Sequence, residues 1–253
     1  MAKTFAITNQ KGGVGKTTTA VNLAASLSAS GARVLLVDLD PQGNATMGSG
    51  VNKRELKKSI YHLLLGLETI SSIKKYSQNG KFDILPSHRD LAGAEIELVD
   101  VVGREIRLKS ALSEVAHEYD YMLIDCPPAL NLLAVNALTA ADAVMIPMQC
   151  EYYALEGVSD LVNTIKKIRG NLNPRLEIEG LLRTMFDPRS TLAQQVSEQL
   201  KNHFGNKVYD TVIPRNIRLA EAPSYGQPAL MYDPSSKGAQ AYMALAREVL
   251  NKH

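Results

Sequence analysis

Residues 8–24 read TNQKGGVGKTTTAVNLA and follow a short apolar run, Thr4 to Ile7. Glycines at 12, 13 and 15 let the backbone turn tightly, so that its N–H groups converge on an anion. A helix starting near Lys16 adds its positive end. Strand, glycine-rich loop and helix arrive in the order a phosphate-binding loop requires. In such a loop Gly12, Gly13, Val14, Gly15 and Thr18 form the cradle, Lys16 reaches the β and γ phosphates, and the Thr17 hydroxyl sits on Mg²⁺. Two features depart from the general G-x-x-x-x-G-K-[ST] pattern. Gln10 stands where the first glycine belongs, and a second lysine, Lys11, stands at the front of the loop, where a phosphate cradle needs none.

Outward from the loop, short apolar runs alternate with helical patterns. The runs are TFAIT, RVLLVD, FDILPS, YDYMLIDCPP, DAVMIPMQ, LEIEGLLRTM and KVYDTVIP. Several are apolar on consecutive positions, the pattern of parallel strands buried on both faces. Helical segments are expected over 16–30, 104–118, 155–169, 192–204 and 239–250. The alternation predicts an α/β fold, a mostly parallel twisted sheet with helices on both faces joined by right-handed crossovers. In such a sheet, ligands bind beyond the carboxyl ends of the strands. Asp38 and Asp40 follow one apolar run, Asp125 another and Gln149 a third. With no repeat and no Pro/Gly/Ser-rich linker, residues 1–253 read as a single domain.

Composition narrows the class. Hydrophobic residues make up 45% and charged residues 21%, ordinary for a globular chain with a core. A net charge of +2 does not announce nucleic acid without a local patch. Two cysteines, Cys126 and Cys150, lie far apart without CxxC spacing, which argues for a reducing compartment. The N-terminal run leads straight into the loop and reads as a strand, not a leader. The longest apolar runs fall short of a membrane span, and the expected location is the cytoplasm.

With Lys11 included, the loop fits the deviant Walker A form, K-G-G-x-G-K-[ST]. Together with DLDPQGNAT (38–46), LAGAEIEL (91–98), DYMLIDCPP (120–128), QCEYYALEG (149–157) and IPRNIRLAEAPSYGQP (213–228), it covers essentially the whole chain. On these residues the chain resembles the ParA/Soj partition ATPases, relatives of MinD and, more distantly, of the nitrogenase iron protein.

The resemblance implies that Lys11 crosses a two-fold interface to the phosphates of the partner subunit's ATP. The physics is consistent: a triphosphate held between two subunits concentrates negative charge in a water-poor site, and a lysine from across the interface offsets it. A homodimer is then expected only while ATP is bound. Asp125 closes its strand where phosphate-loop proteins hold the Mg²⁺ shell, usually through water. Asp38 and Asp40 are neighbouring carboxylates that can split two roles, metal support and water orientation, or cap the following helix. In the family the position of Asp40 is needed for hydrolysis, which leaves Asp38 for the metal. No histidine near these motifs offers a base, so slow hydrolysis is expected. The resemblance also favours Met185, Pro214 and Asn216 at the adenine and Glu151 at a ribose across the dimer.

Gripping DNA without reading sequence requires cations on phosphates. Arg189 and Arg218 match family positions implicated in non-specific double-stranded DNA binding, with Arg215 and Lys237 as weaker candidates. A second candidate is the basic stretch from Lys53 to Lys81. The family implies a ParB/Spo-type centromere-binding partner that stimulates hydrolysis, and a nucleoid-associated protein. The loop begins at once, leaving no room for an N-terminal helix-turn-helix domain. Three rival uses of the fold are a MinD-like membrane cycler, an iron-protein-like reductase and a small-molecule phosphotransferase. The first would need an amphipathic C-terminal helix with bulky apolar residues, which YMALAREVLNKH does not provide.

Overall fold

In a computed structural model, which describes residues 2–253, the runs assemble into one eight-stranded sheet. The strands are β1 (Lys3–Ile7), β2 (Val34–Asp38), β3 (Lys75–Ser77), β4 (Phe82–Leu85), β5 (Tyr121–Asp125), β6 (Ala143–Gln149), β7 (Glu177–Phe186) and β8 (Val208–Pro214). Their spatial order is β3-β4-β2-β5-β1-β6-β7-β8. Every pairing is parallel except β3 with β4. The consecutive apolar runs are central strands: all five residues of β2 and of β5 are buried.

Two apolar layers sandwich the sheet. On one face the helices Lys16–Ala29 and Lys237–Lys252 pack through Leu23, Leu27, Tyr242 and Leu245 onto Phe5, Leu36 and Leu123. On the other, the helices Arg107–Val115, Leu132–Ala140, Ala154–Asn171 and Thr191–Phe204 cover Ala6, Leu35, Ile124 and Val144. Alternate residues of each strand point to opposite layers, as the pleat demands.

All seven expected strands form, and the five expected helices form within a few residues of their expected ends. Residues 104–106 are a 3₁₀ turn leading into the helix Arg107–Val115. The eighth strand, β3, has only three residues and no apolar alternation. Its place is set by pairing with β4 and by Lys74, whose ammonium is 3.2 Å from Asp83 Oδ2 and 3.1 Å from the Tyr119 hydroxyl.

Register puts the chemistry at one level. Ile7, the last residue of β1, pairs with Asp125 of β5, and Asp125 pairs with Asp38 of β2. The phosphate loop leaves β1 at that same edge.

Candidate nucleotide site

Polar contacts hold the loop 8–15 from behind. Asn9 accepts from the Lys11 N–H at 3.0 Å and donates to the Pro147 carbonyl at 2.9 Å. The Thr184 hydroxyl lies 2.7 Å from the Val14 carbonyl and 3.1 Å from that of Met148. Gln149 donates to the Gly13 carbonyl at 3.3 Å. The loop is therefore shaped before any ligand arrives, and the ordering cost falls on the fold. Gly13 and Gly15 have φ of +74° and +88°, the left-handed region that glycine enters most readily. No side chain caps the helix Lys16–Ala29, whose cap residue is Gly15, so its first N–H groups face the loop interior.

The two lysines have opposite surroundings. Lys16 is buried, with Nζ 3.2 Å from the Lys11 carbonyl inside the loop. Burial lowers its pKa, opposed by the Asp125 carboxylate. The Lys11 ammonium is about half exposed and is ion-paired with Glu151 of its own subunit. Sequence spacing gave no sign of this pairing, because the partners are 140 residues apart and meet only because β6 lies beside β1.

The carboxylates separate as clearly. Asp125 is fully buried, and neither of its oxygens has a hydrogen bond of ordinary geometry; the nearby Thr17 hydroxyl offsets only part of the burial. Burial, then the neighbouring Asp38, raises its pKa well above the usual carboxylate range. A buried unpaired carboxylate is costly unless something positive arrives. Asp38, equally buried, has its hydrogen bonds filled. One oxygen accepts from the Thr46 N–H and hydroxyl, both at 2.7 Å, and the other from the Asp40 N–H at 3.2 Å. Burial pushes its pKa up to about 6, against those hydrogen bonds. Asp38 thus fastens the loop 40–46 to β2. Asp40 lines the cleft, with one oxygen accepting from the Gln42 N–H at 2.9 Å and its carbonyl accepting from the Ser87 hydroxyl at 2.7 Å.

In front of the loop opens a cleft of about 610 Å³, large enough for a nucleotide. Gly12, Gly13, Lys16, Thr17 and Thr18 line its phosphate end, and Met185, Pro214 and Asn216 its far end. Met185 has φ +47°, an unusual conformation for a side chain of its size, at the end of β7. The Asn216 side-chain oxygen caps the helix Ile217–Glu221, accepting from the Arg218 N–H at 3.0 Å, so the group left for a ligand is its amide NH₂.

The residues present fit Mg²⁺ and a nucleotide. Among the described residues no group of three His, Cys, Asp or Glu side chains could by itself hold a metal. The donors left for it are the Thr17 hydroxyl and Asp125, whereas Asp38, expected at the metal from the sequence, has both oxygens taken by Thr46 and Asp40. That suits a hard cation held mainly by phosphate and water.

Beyond the cleft, Arg189 is ion-paired with Asp187 at 3.0 Å, and Arg218 with Glu221 at 2.8 Å and Asp233 at 3.2 Å. The residues assigned to the nucleotide thus gather at the cleft and its mouth; neither arginine side chain lines it, although the Arg218 N–H donates to Asn216, and each arginine is already ion-paired. Cys126 and Cys150 are buried free thiols whose pKa burial raises, the latter to about 11.

Fold and site together define a phosphate-loop nucleotide-binding protein with one lysine inside its loop and a second held outside it. A family profile described as an AAA domain matches residues 2–178. The chain is similar to the sporulation initiation inhibitor protein Soj of Bacillus subtilis, 56% identical over 98% of each chain. It is 50% identical to the chromosome partitioning protein ParA of Caulobacter vibrioides, over 99% of this chain and 94% of that one. Among solved structures, cobyrinic acid a,c-diamide synthase from Mycobacterium smegmatis with bound ATP analog and magnesium superposes with a TM-score of 0.87. It is 37% identical, covering 99% of this chain and 95% of that one. The chain belongs to the ParA/Soj family of partitioning ATPases, the deviant Walker A class.

Proposed function

We propose that this protein is an ATP-dependent dimerisation switch. As the ATP-bound homodimer it binds double-stranded DNA without sequence preference, and slow hydrolysis, stimulated by a ParB-type partner, releases it. Its cofactors are ATP and Mg²⁺. The reading places it in chromosome or plasmid partitioning, cytoplasmic and associated with the nucleoid.

The observation that carries the reading is the contrast between the two lysines. Lys16 sits inside the loop and serves the bound phosphates of its own subunit. Lys11 stands on the open face with an exposed ion pair, an interaction typically worth about 0–1 kcal/mol. It is therefore cheaply released to the phosphates of a facing subunit. Bound Mg²⁺ would neutralise phosphate charge, with Thr17 and Asp125 as its protein support. Asp38 holds the loop 40–46 in place, and Asp40 is left at the cleft wall to orient the attacking water. Gly12, Gly13, Val14 and Gly15 present N–H groups to the phosphates. Met185, Pro214 and the Asn216 amide frame the base, and Glu151, freed from Lys11, turns to a ribose across the interface.

A membrane-cycling use of the same switch is less well supported. The apolar side of the last helix, Tyr242, Leu245, Ala246 and Val249, is buried in the core. No helix among the described residues is long and apolar enough to cross a membrane. The test is light scattering of wild type and Lys11→Ala with ATP or ADP. A wild-type dimer with ATP alone, absent in Lys11→Ala although that variant still binds nucleotide, supports the reading. ATP-dependent dimers of Lys11→Ala refute it.

A further inference from the structure

On the far side of the loop that carries Asp40 lies a second cleft, of about 410 Å³, lined by Pro41, Gln42, Lys53, Arg54, His88 and Arg89. It sits beyond the carboxyl ends of β2 and β4, adjacent strands, as the nucleotide cleft sits beyond β1 and its neighbours. Elsewhere on the surface Arg33, Lys58, Lys74, Arg104, Arg189 and Arg218 carry carboxylates. Lys53, Arg54 and Arg89 have no ion pair among the described residues. Of the carboxylates nearest in sequence, Asp90 sits at the rim, 3.0 Å from the lining residue His88, and Glu55 accepts from the Asn52 amide at 2.6 Å; neither reaches a lining cation. Three cations without an ion pair, against one carboxylate at the rim, leave the concavity net positive.

The cleft also touches the switch. The Lys53 ammonium donates to the carbonyl of Gln42, whose own N–H donates to Asp40 at 2.9 Å. Lys53 lies across the loop so closely that a Cβ on Gly43 would stand 2.9 Å from its Cδ and 3.0 Å from the Ser87 carbonyl. An anion entering the cleft competes with the Gln42 carbonyl for that ammonium.

We propose that the cleft bounded by Gln42, Lys53, Arg54 and Arg89 is a second anion site, which takes phosphate oxygens and is coupled through Lys53 to the loop bearing Asp40. The arginine forks suit phosphate geometry, and the ammonium supplies a point charge. The phosphate comes either from a DNA backbone or from a small free phosphate compound. The DNA source rests on the function proposed above; the free source does not.

The chain has no tryptophan, so Gln42→Trp is a clean reporter of the loop. Its side chain is exposed, and its hydrogen bonds with Asp40 and Lys53 are made by backbone atoms. The reporter protein is saturated with ADP and Mg²⁺, filling the phosphate loop, and titrated with inorganic phosphate. In parallel, ATP-loaded protein is titrated with a random-sequence duplex across a salt series. Both are repeated with Arg54→Ala/Arg89→Ala, two exposed residues outside the nucleotide site.

A saturable fluorescence change with phosphate, weakened at least tenfold by the double substitution while ADP affinity holds within about twofold, establishes the site for free phosphate. A duplex salt slope lowered by about two units per subunit establishes the DNA source. Either result supports the proposal. No saturable phosphate response together with an unchanged salt slope overturns it, as do responses that survive the double substitution. If the wild type binds no DNA at all, the switch reading fails, and the phosphate titration still decides the site.

Discussion

Lys11 and Glu151, from opposite ends of the site's sequence, form an ion pair within one subunit across the mouth of the phosphate loop. In the proposed dimer Lys11 would have to leave Glu151 for the partner's phosphates, which makes the ion pair a weak competitor to dimerisation. Glu151→Gln removes the competitor without removing the lysine. The expected result is an ATP-dependent dimer that forms at about two- to fivefold lower protein concentration, the scale of an exposed pair. Sedimentation equilibrium checks it; weaker dimerisation would mean that Glu151's contact across the interface outweighs its hold on Lys11.

Asp125 is a buried carboxylate with no hydrogen bond of ordinary geometry. Asp125→Asn should raise the stability of the nucleotide-free protein, by about 1–3 kcal/mol on the usual scale for an uncompensated buried group. The same substitution should abolish the stabilisation that ATP with Mg²⁺ gives the wild type. Thermal unfolding with and without nucleotide checks both halves.

The pH dependence follows from the same group. Burial raises its folded pKa above the unfolded value, so the folded state holds the proton longer. Stability of the nucleotide-free wild type therefore falls as pH climbs through about 4, where the unfolded chain releases that proton while the folded state keeps it. Asp38, with a pKa pushed up to about 6, acts in the same direction and completes its loss near that pH. Urea melts between pH 4 and 7 should show a shallower decline in Asp125→Asn than in the wild type. Parallel declines would contradict the assignment.

Thr184 anchors the loop through a buried hydroxyl near two carbonyls. Thr184→Val keeps the shape and leaves both carbonyls without that donor, at a cost of about 1–3 kcal/mol. Nucleotide affinity should fall with it, because the Val14 segment is no longer fixed. Fluorescent-nucleotide titration beside a denaturant melt measures the two effects.

How far the sequence reaches can be judged residue by residue. The loop, its helix and the strand-end positions of Asp38 and Asp125 were legible, because consecutive apolar runs ending in an acid have one reading in a parallel sheet. Strand β3 was not: three residues carry no period, and tertiary pairing with β4 decides them. The short helices Asn44–Gly48, Ile60–Leu64 and Ile70–Ile73 are too brief to show amphipathic spacing. Thr184 and the Lys11–Glu151 pair depend on which strands lie side by side, which no local pattern records. The neutralisation of Arg189 by Asp187, two residues away, was within reach of a closer reading of DPRST.

The two arginines also bear on the proposed grip on DNA. Arg189 and Arg218 each carry a carboxylate already. Asp187→Asn should strengthen duplex binding by the ATP form severalfold at low salt, whereas Arg189→Ala weakens it and lowers the salt slope by about one unit per subunit. Fluorescence anisotropy at a series of salt concentrations separates the two.

In the proposed cycle, nucleotide state controls the grip on DNA and Asp40 ends it. Its most direct test is binding of wild type and Asp40→Ala to a random-sequence duplex with ATP, with ADP and without nucleotide, across a salt series. Tight, salt-sensitive binding with ATP alone, prolonged in Asp40→Ala, is the predicted result. Binding that ignores the nucleotide, or an Asp40→Ala complex that decays as fast as the wild type, would contradict it.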